Sequence, residues 1–207
     1  MKRKTLLVTS ALLTVFYASQ VLAADEGKWL VRGRVLDVIP VESGDISPIG
    51  GNAKISNDVV PEIGVSYFFS PNIAVELIAA TSKHDVTAKS TSLGDVNAGD
   101  VWLLPPTLTL QYHFTQFESI KPYVGAGINY THFYNADSGD LNNAKYSDSV
   151  GPALQVGVDI PIKDHWYFNF DVKKLWIKTD AKFNDGTIRS NVDINPWVVG
   201  TGIGYRF

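Results

Sequence analysis

The sequence has four histidines and no cysteine, so nucleophilic or metal chemistry would rest on few residues. Ser82, Ser147 and Ser149 fall near His84 and His132, and a histidine activating a serine is what a lipid-modifying enzyme would need. No orienting acid stands at an enforced spacing, so no catalytic residue is assigned. His113 and His165 complete the set; the four are too dispersed for a ligand cluster, so no metal and no cofactor is expected. The other chemistry-bearing residues are charged: Arg32, Arg34, Lys173 and Arg206 against Glu62, Glu76, Asp159 and Asp171. Buried without partners they would be costly, so they are expected to form one paired network.

What positions these residues is a set of alternating segments. Period-2 patterning marks eight of them, at 29–40, 57–69, 73–84, 101–114, 122–134, 149–160, 166–179 and 190–207, each apolar on one face. The connections alternate between short ones (69–72, 115–121, 161–165) and longer ones rich in Gly, Asn, Asp and Ser (41–56, 85–100, 135–148, 180–189). An even strand count with that alternation predicts an all-β fold, an eight-stranded antiparallel transmembrane β-barrel with short periplasmic turns and longer extracellular loops.

The ends fit this compartment. Met1-Lys2-Arg3-Lys4, an apolar stretch to Leu22 and the small-residue site Val21-Leu22-Ala23 read as a cleaved signal peptide over 1–23, leaving 24–207 as the barrel. Cleavage removes three basic residues from a chain of net charge −3, and the more acidic body argues against nucleic acid as a partner. At the other end Trp197, Val199, Thr201, Ile203, Tyr205 and Phe207 share one face, the stripe of a lipid-facing closing strand that assembly machinery could grasp.

The seventh segment supplies a ruler. Trp166, Phe168, Phe170, Val172, Lys174 and Trp176 alternate on one face, and a tilted strand places the two tryptophans about 25 Å apart, the height of the apolar band. Taking this face as outward fixes the lumen. Its periplasmic half receives the eight charged residues, as an ionic plug. Its outer half receives Leu36, Val38, Val60, Ile78, Leu103, Pro105, Phe133, Leu175, Ile177 and Val198, an apolar funnel rather than a water-filled pore. Pro61, Pro106, Pro152 and Pro196 fall inside strands, where each removes a ladder donor. They are the candidates for a lateral opening into the membrane.

Asn72-Ile73-Ala74-Val75-Glu76-Leu77, Leu104-Pro105-Pro106-Thr107-Leu108, Lys121-Pro122-Tyr123-Val124-Gly125-Ala126-Gly127-Ile128-Asn129-Tyr130 and Gly151-Pro152-Ala153-Leu154-Gln155-Val156-Gly157, ordered along the chain, resemble the outer membrane protein W family. The resemblance is weakest in the long loops. It implies an outer-membrane barrel with a hydrophobic lumen opening outward and a role in the uptake of small hydrophobic molecules; it carries no catalytic motif. Expected partners are outer-membrane lipids and lipopolysaccharide, small hydrophobic ligands and the barrel-assembly machinery. A structural or surface-interaction barrel, serving as receptor or antigen, is the alternative, and its signature would be long adhesive loops.

Overall fold

The computed structural model describes residues 27–207; the expected signal peptide, 1–23, lies outside the described residues. Fifteen strands follow in chain order among them. They are β1 (Trp29–Ile39), β2 (Ile46–Ser47), β3 (Asn52–Ile55), β4 (Asp58–Phe68), β5 (Ile73–Ala80), β6 (Ser82–Thr91), β7 (Gly94–Leu104) and β8 (Thr107–His113), then β9 (Lys121–Tyr134), β10 (Lys145–Tyr146), β11 (Ser149–Lys163), β12 (Trp166–Leu175), β13 (Lys178–Phe183), β14 (Ile188–Asp193) and β15 (Trp197–Arg206).

Eight of these close a barrel in the order β1-β4-β5-β8-β9-β11-β12-β15 and back to β1, every pair antiparallel. The closing seam joins β15 to β1, from Leu30↔Arg206 to Ile39↔Trp197, and Phe207 extends it by exchanging backbone hydrogen bonds with Trp29 at 2.9 and 3.0 Å. Closure leaves no edge strand, which is the condition for a sheet to sit in lipid.

Burial follows the period-2 pattern. On β8 the sequence Thr107–His113 alternates buried and exposed at every step, with Leu108 and Leu110 facing out. Aromatic residues ring the wall at both ends. Trp29 packs on Tyr67, and Trp166 on Tyr205, edge to face at 4.9 Å near the short turns. Trp102 and Tyr134 pair at 6.1 Å at the opposite end. There Lys174 lies 4.9 Å from the Trp197 ring and donates to the Asn195 carbonyl, its stem along the wall and its charge at the rim.

All four long connections depart from the loops the sequence suggests. The segments 85–100 and 180–189 carry strand structure because β6 and β7 form one hairpin and β13 and β14 another, while 41–56 contributes β2 and β3 and 135–148 contributes β10 to pair with them. The register explains this. Ile78↔Thr107 below and Ser82↔Leu103 above belong to one continuous alignment, interrupted only where Pro105 and Pro106 lack donors. Lys174↔Trp197 and Lys178↔Asp193 are likewise one alignment, interrupted at Pro196. The third and fourth expected strands, and the seventh and eighth, thus each divide at a proline level and continue outward. The extensions form two further sheets, β3-β6-β7 joined to the end of β9, and β10-β13-β14-β2.

A charged floor beneath an apolar chamber as candidate functional site

The floor is built on β1, where Arg32 and Arg34 face inward two residues apart and are almost wholly buried. Arg32 donates to Asp159 on β11 at 3.1 and 2.5 Å, to Ser66 on β4 at 2.8 Å and to Glu76 on β5 at 2.9 Å. Arg34 donates to Asn169 on β12 at 2.7 Å, Glu62 at 2.7 Å and Glu76 at 2.9 Å. Glu76 is the hub. Its Oε1 accepts from both arginines, and its Oε2 accepts from Gln111 at 2.7 Å and Gln155 at 2.9 Å. Lys173 donates to Glu62 at 3.0 and 3.2 Å and lies 2.5 Å from Asp171. These charges are desolvated, and their many hydrogen bonds are what make that tolerable.

Seven of the eight charged residues expected in the plug are thus linked. Arg206 lies at its periplasmic edge, donating to the Gly27 carbonyl at 2.7 Å with its guanidinium 3.8 Å from the Phe68 ring. Sequence reasoning missed one member, Tyr123. Fully buried, it donates to Asp171 at 3.0 Å, lies under Arg32 at 5.1 Å and stacks on His113 at 4.9 Å. The signal was available, since Tyr123 alternates in phase with Asn129 and Phe133 along β9.

Small residues make room for this packing. A Cβ on Gly64 would lie 2.7 Å from Glu76 Oε1 and 2.9 Å from Arg34 Nη1, and one on Gly157 would strike the Tyr123 ring at 2.4 Å.

Above the floor the lining changes character. Leu36, Val38, Val60, Ile78, Leu103, Pro105, Leu175, Ile177 and Val198 surround a cavity of about 40 Å³ whose base is Glu62 and Lys173. A second cavity of about 40 Å³ sits beyond it between the two extension sheets. Phe133 lines this outer one, with Ile55, Val86, Phe183 and Ile188. The two share His84, Leu103 and Ile194, which form a neck. The ten residues expected in the funnel therefore all line one or other chamber. The outer chamber is not legible from the expected segments because much of its wall falls in 41–56, 85–100 and 180–189, read as loops, although Val86-Thr87-Ala88 carries the alternation and Ile188-Arg189 continues that of the expected strand from Ser190.

The proline candidates divide by geometry. Pro106 accepts from Tyr130 N–H at 3.0 Å, Pro152 from Trp176 N–H at 3.2 Å and Pro196 from Leu175 N–H at 3.2 Å, so each of these keeps half of its ladder contact. Asn129 also caps the Pro105 carbonyl at 3.1 Å. Pro61 marks a different place. Immediately below it β4 pairs with β5 at Glu62↔Ala80, and pairing resumes only in β3 with Ile55↔Val86. Between, a single backbone bond, Ser56 N–H to the Asp85 carbonyl at 3.0 Å, and two bonds to side chains span the seam: Lys83 N–H donates to Asp58 at 2.7 Å and Asp85 N–H to Ser56 Oγ at 2.9 Å.

One contact considered at the sequence level does form. Ser82 and His84 alternate onto the same face of β6, and Ser82 Oγ lies 2.9 Å from His84 Nε2. Spacing by two on a strand is what brings them together. His132 instead meets Asp148 on the exposed outer surface at 2.9 Å. Among the described residues no group of three or more His, Asp or Glu side chains is arranged to hold a metal ion.

The barrel, its plug and its lining are on one chain, and the OmpW family model matches residues 25–207 of it. The chain belongs to the OmpW family. An uncharacterized outer-membrane protein y4mB of Sinorhizobium fredii is 43% identical over 195 residues, 92% of this chain and 84% of its own length. The outer membrane protein AlkL of Ectopseudomonas oleovorans is 31% identical over 202 residues, 92% of this chain and 87% of its own. Among solved structures, the outer membrane protein OprG from Pseudomonas aeruginosa superposes with a TM-score of 0.80 at 32% identity, covering 88% of this chain and 96% of that one. This OmpW-family chain is an outer-membrane protein, with its apolar outer wall in lipid.

Proposed function

We propose that this barrel is a passive conduit for small apolar molecules, which enter the outer chamber, pass the His84 neck and leave sideways into the membrane. The carrying observation is the abrupt change along the lumen. An apolar lining stands directly on a floor whose arginines and lysine are all paired with carboxylates, so a molecule that reaches Glu62 and Lys173 has no dry path onward. The Pro61 seam between β4 and β6, where one backbone bond and two side-chain bonds stand in for a continuous ladder, is the exit this reading favours. The chambers are narrow at rest, about 40 Å³ each, so the lining must give as a ligand passes. Burying a medium alkyl chain at roughly 25 cal/mol per Å² offers a few kcal/mol, suited to weak capture and fast release. Lipopolysaccharide makes the outer leaflet a poor solvent for such molecules, and lipopolysaccharide and the assembly machinery are its proposed partners in the membrane.

The test compares uptake of octane by cells producing the unaltered protein, Leu103→Arg or Leu175→Arg, with folding checked by heat modifiability on gels. A charge in the lining imposes a desolvation cost on the passing ligand, so uptake falls to the level of cells lacking the protein. Folded variants that transport as well as the unaltered chain would leave a packed structural barrel as the reading.

A further inference from the structure

The outer chamber is almost entirely apolar, yet it contains a polar group with nothing to bind. Tyr146 Oη is shut off from solvent and has no hydrogen-bond partner among the described residues, while its ring is fixed between Phe133, stacked at 5.8 Å, and Phe183, edge on at 5.9 Å. The other polar side chains lining that chamber are occupied. Thr179 donates to the Ser147 carbonyl at 2.7 Å and Ser190 to the Asp45 carbonyl at 3.0 Å. Burial and the nearby Asp100 push the Tyr146 phenol up from its ordinary value, so it remains a donor. An unmade hydrogen bond in a dry site is a standing cost that a ligand oxygen would remove.

The neck below offers a second, complementary pair. His84 Nδ1 lies 2.7 Å from the Ser56 carbonyl, which can only accept, so Nδ1 donates there, and in that tautomer Nε2 accepts from Ser82 O–H at 2.9 Å. Opened by a ligand, this pair presents one donor and one acceptor side by side. A hydroxyl group satisfies both, a carbonyl only the donor, and a hydrocarbon neither. No arginine or lysine lines the outer chamber, so an ionised carboxylate would enter unpaired at a large cost.

We propose that the outer chamber is a binding site for neutral apolar molecules bearing one hydroxyl, of the alkanol class, held first by Tyr146 Oη and handed to Ser82 and His84 at the neck. This rests on the conduit reading and adds a chemical preference to it. The experiment titrates 1-octanol, 2-octanone and octane into the protein in lipid nanodiscs, unaltered or as Tyr146→Phe or Ser82→Ala, and follows the ¹³C-tyrosine resonances. Partition into lipid is common to all variants and cancels in their ratio.

1-Octanol should shift the Tyr146 signal, and Tyr146→Phe should weaken 1-octanol binding about two- to tenfold, the worth of one neutral hydrogen bond, while octane binding stays unchanged. Ser82→Ala removes the donor and leaves His84 Nε2 as acceptor, so it should weaken 1-octanol and 2-octanone alike and keep the preference for 1-octanol. Equal 1-octanol affinity in Tyr146→Phe, or a Tyr146 signal indifferent to 1-octanol, overturns the proposal. Uptake of octane measured in cells judges the conduit separately, since binding in nanodiscs is read whether or not transport follows.

Discussion

Glu76 shows how much of the interior hangs on one side chain. It joins Arg32, Arg34, Gln111 and Gln155, and Glu76→Ala would leave two guanidiniums short of a counter-charge in a site that excludes water. The expected loss is about 3 to 5 kcal/mol, read as a lower urea midpoint for the folded barrel. A midpoint equal to that of the unaltered protein would mean that water or another carboxylate replaces it. On the exposed rim Asp148 accepts from Tyr130 at 2.6 Å and from His132 at 2.9 Å, and these bonds, Tyr130 first, hold its carboxyl below the usual range. A depressed folded-state value stabilises the fold above the unfolded value, near 3.9, and that contribution disappears as pH falls through the folded one. Asp148→Asn should therefore lower the unfolding midpoint at neutral pH and leave it unchanged in strong acid.

At the scale of elements, the prolines act through the donors they remove. Hairpins β5-β6/β7-β8 and β12-β13/β14-β15 keep one register across their breaks, so pairing stops at that level and resumes without slipping. The β4–β6 seam is where the ladder thins to a single backbone bond, Ser56 N–H to the Asp85 carbonyl. Val59 and Lys83 flank it on the outer surface, both exposed, and the chain has no native cysteine to interfere. A Val59→Cys, Lys83→Cys pair, once oxidised, should slow octane uptake several-fold, with recovery on reduction. Unaltered uptake by the cross-linked protein would place the exit elsewhere, with the Pro152 and Trp176 contact between β11 and β12 the next seam to close.

The whole molecule divides by height. An apolar wall girdled by aromatics faces the bilayer, a network of paired charges fills the interior near the short turns, and the two extension sheets continue the apolar lining at the opposite end. Such a barrel should pass little current. In planar bilayers the unaltered protein is expected to give no large, stable ion conductance, because the floor side chains fill the cross-section and satisfy one another. A steady open channel of porin size would contradict the plug.

Alternation along each segment decided, from the sequence by itself, the eight segments that close the barrel and the face each turns inward. A strand has a period of two, so one known outward residue assigns every neighbour. That is why Leu36, Ile78 and Leu175 could be placed inside before any contact was known, and why the charged residues could be grouped as a plug. Partnership was not legible. Arg32 reaches Asp159, 127 positions away, and only closure of the sheet brings β1 and β11 within reach across the lumen. The same holds for Tyr146, whose short strand β10 gives no periodic signal, and for the outer chamber, whose walls looked like polar loops. Their apolar faces acquire meaning when two sheets from distant segments stand opposite each other, because burial is a property of what lies across the gap and not of the strand that carries the side chain.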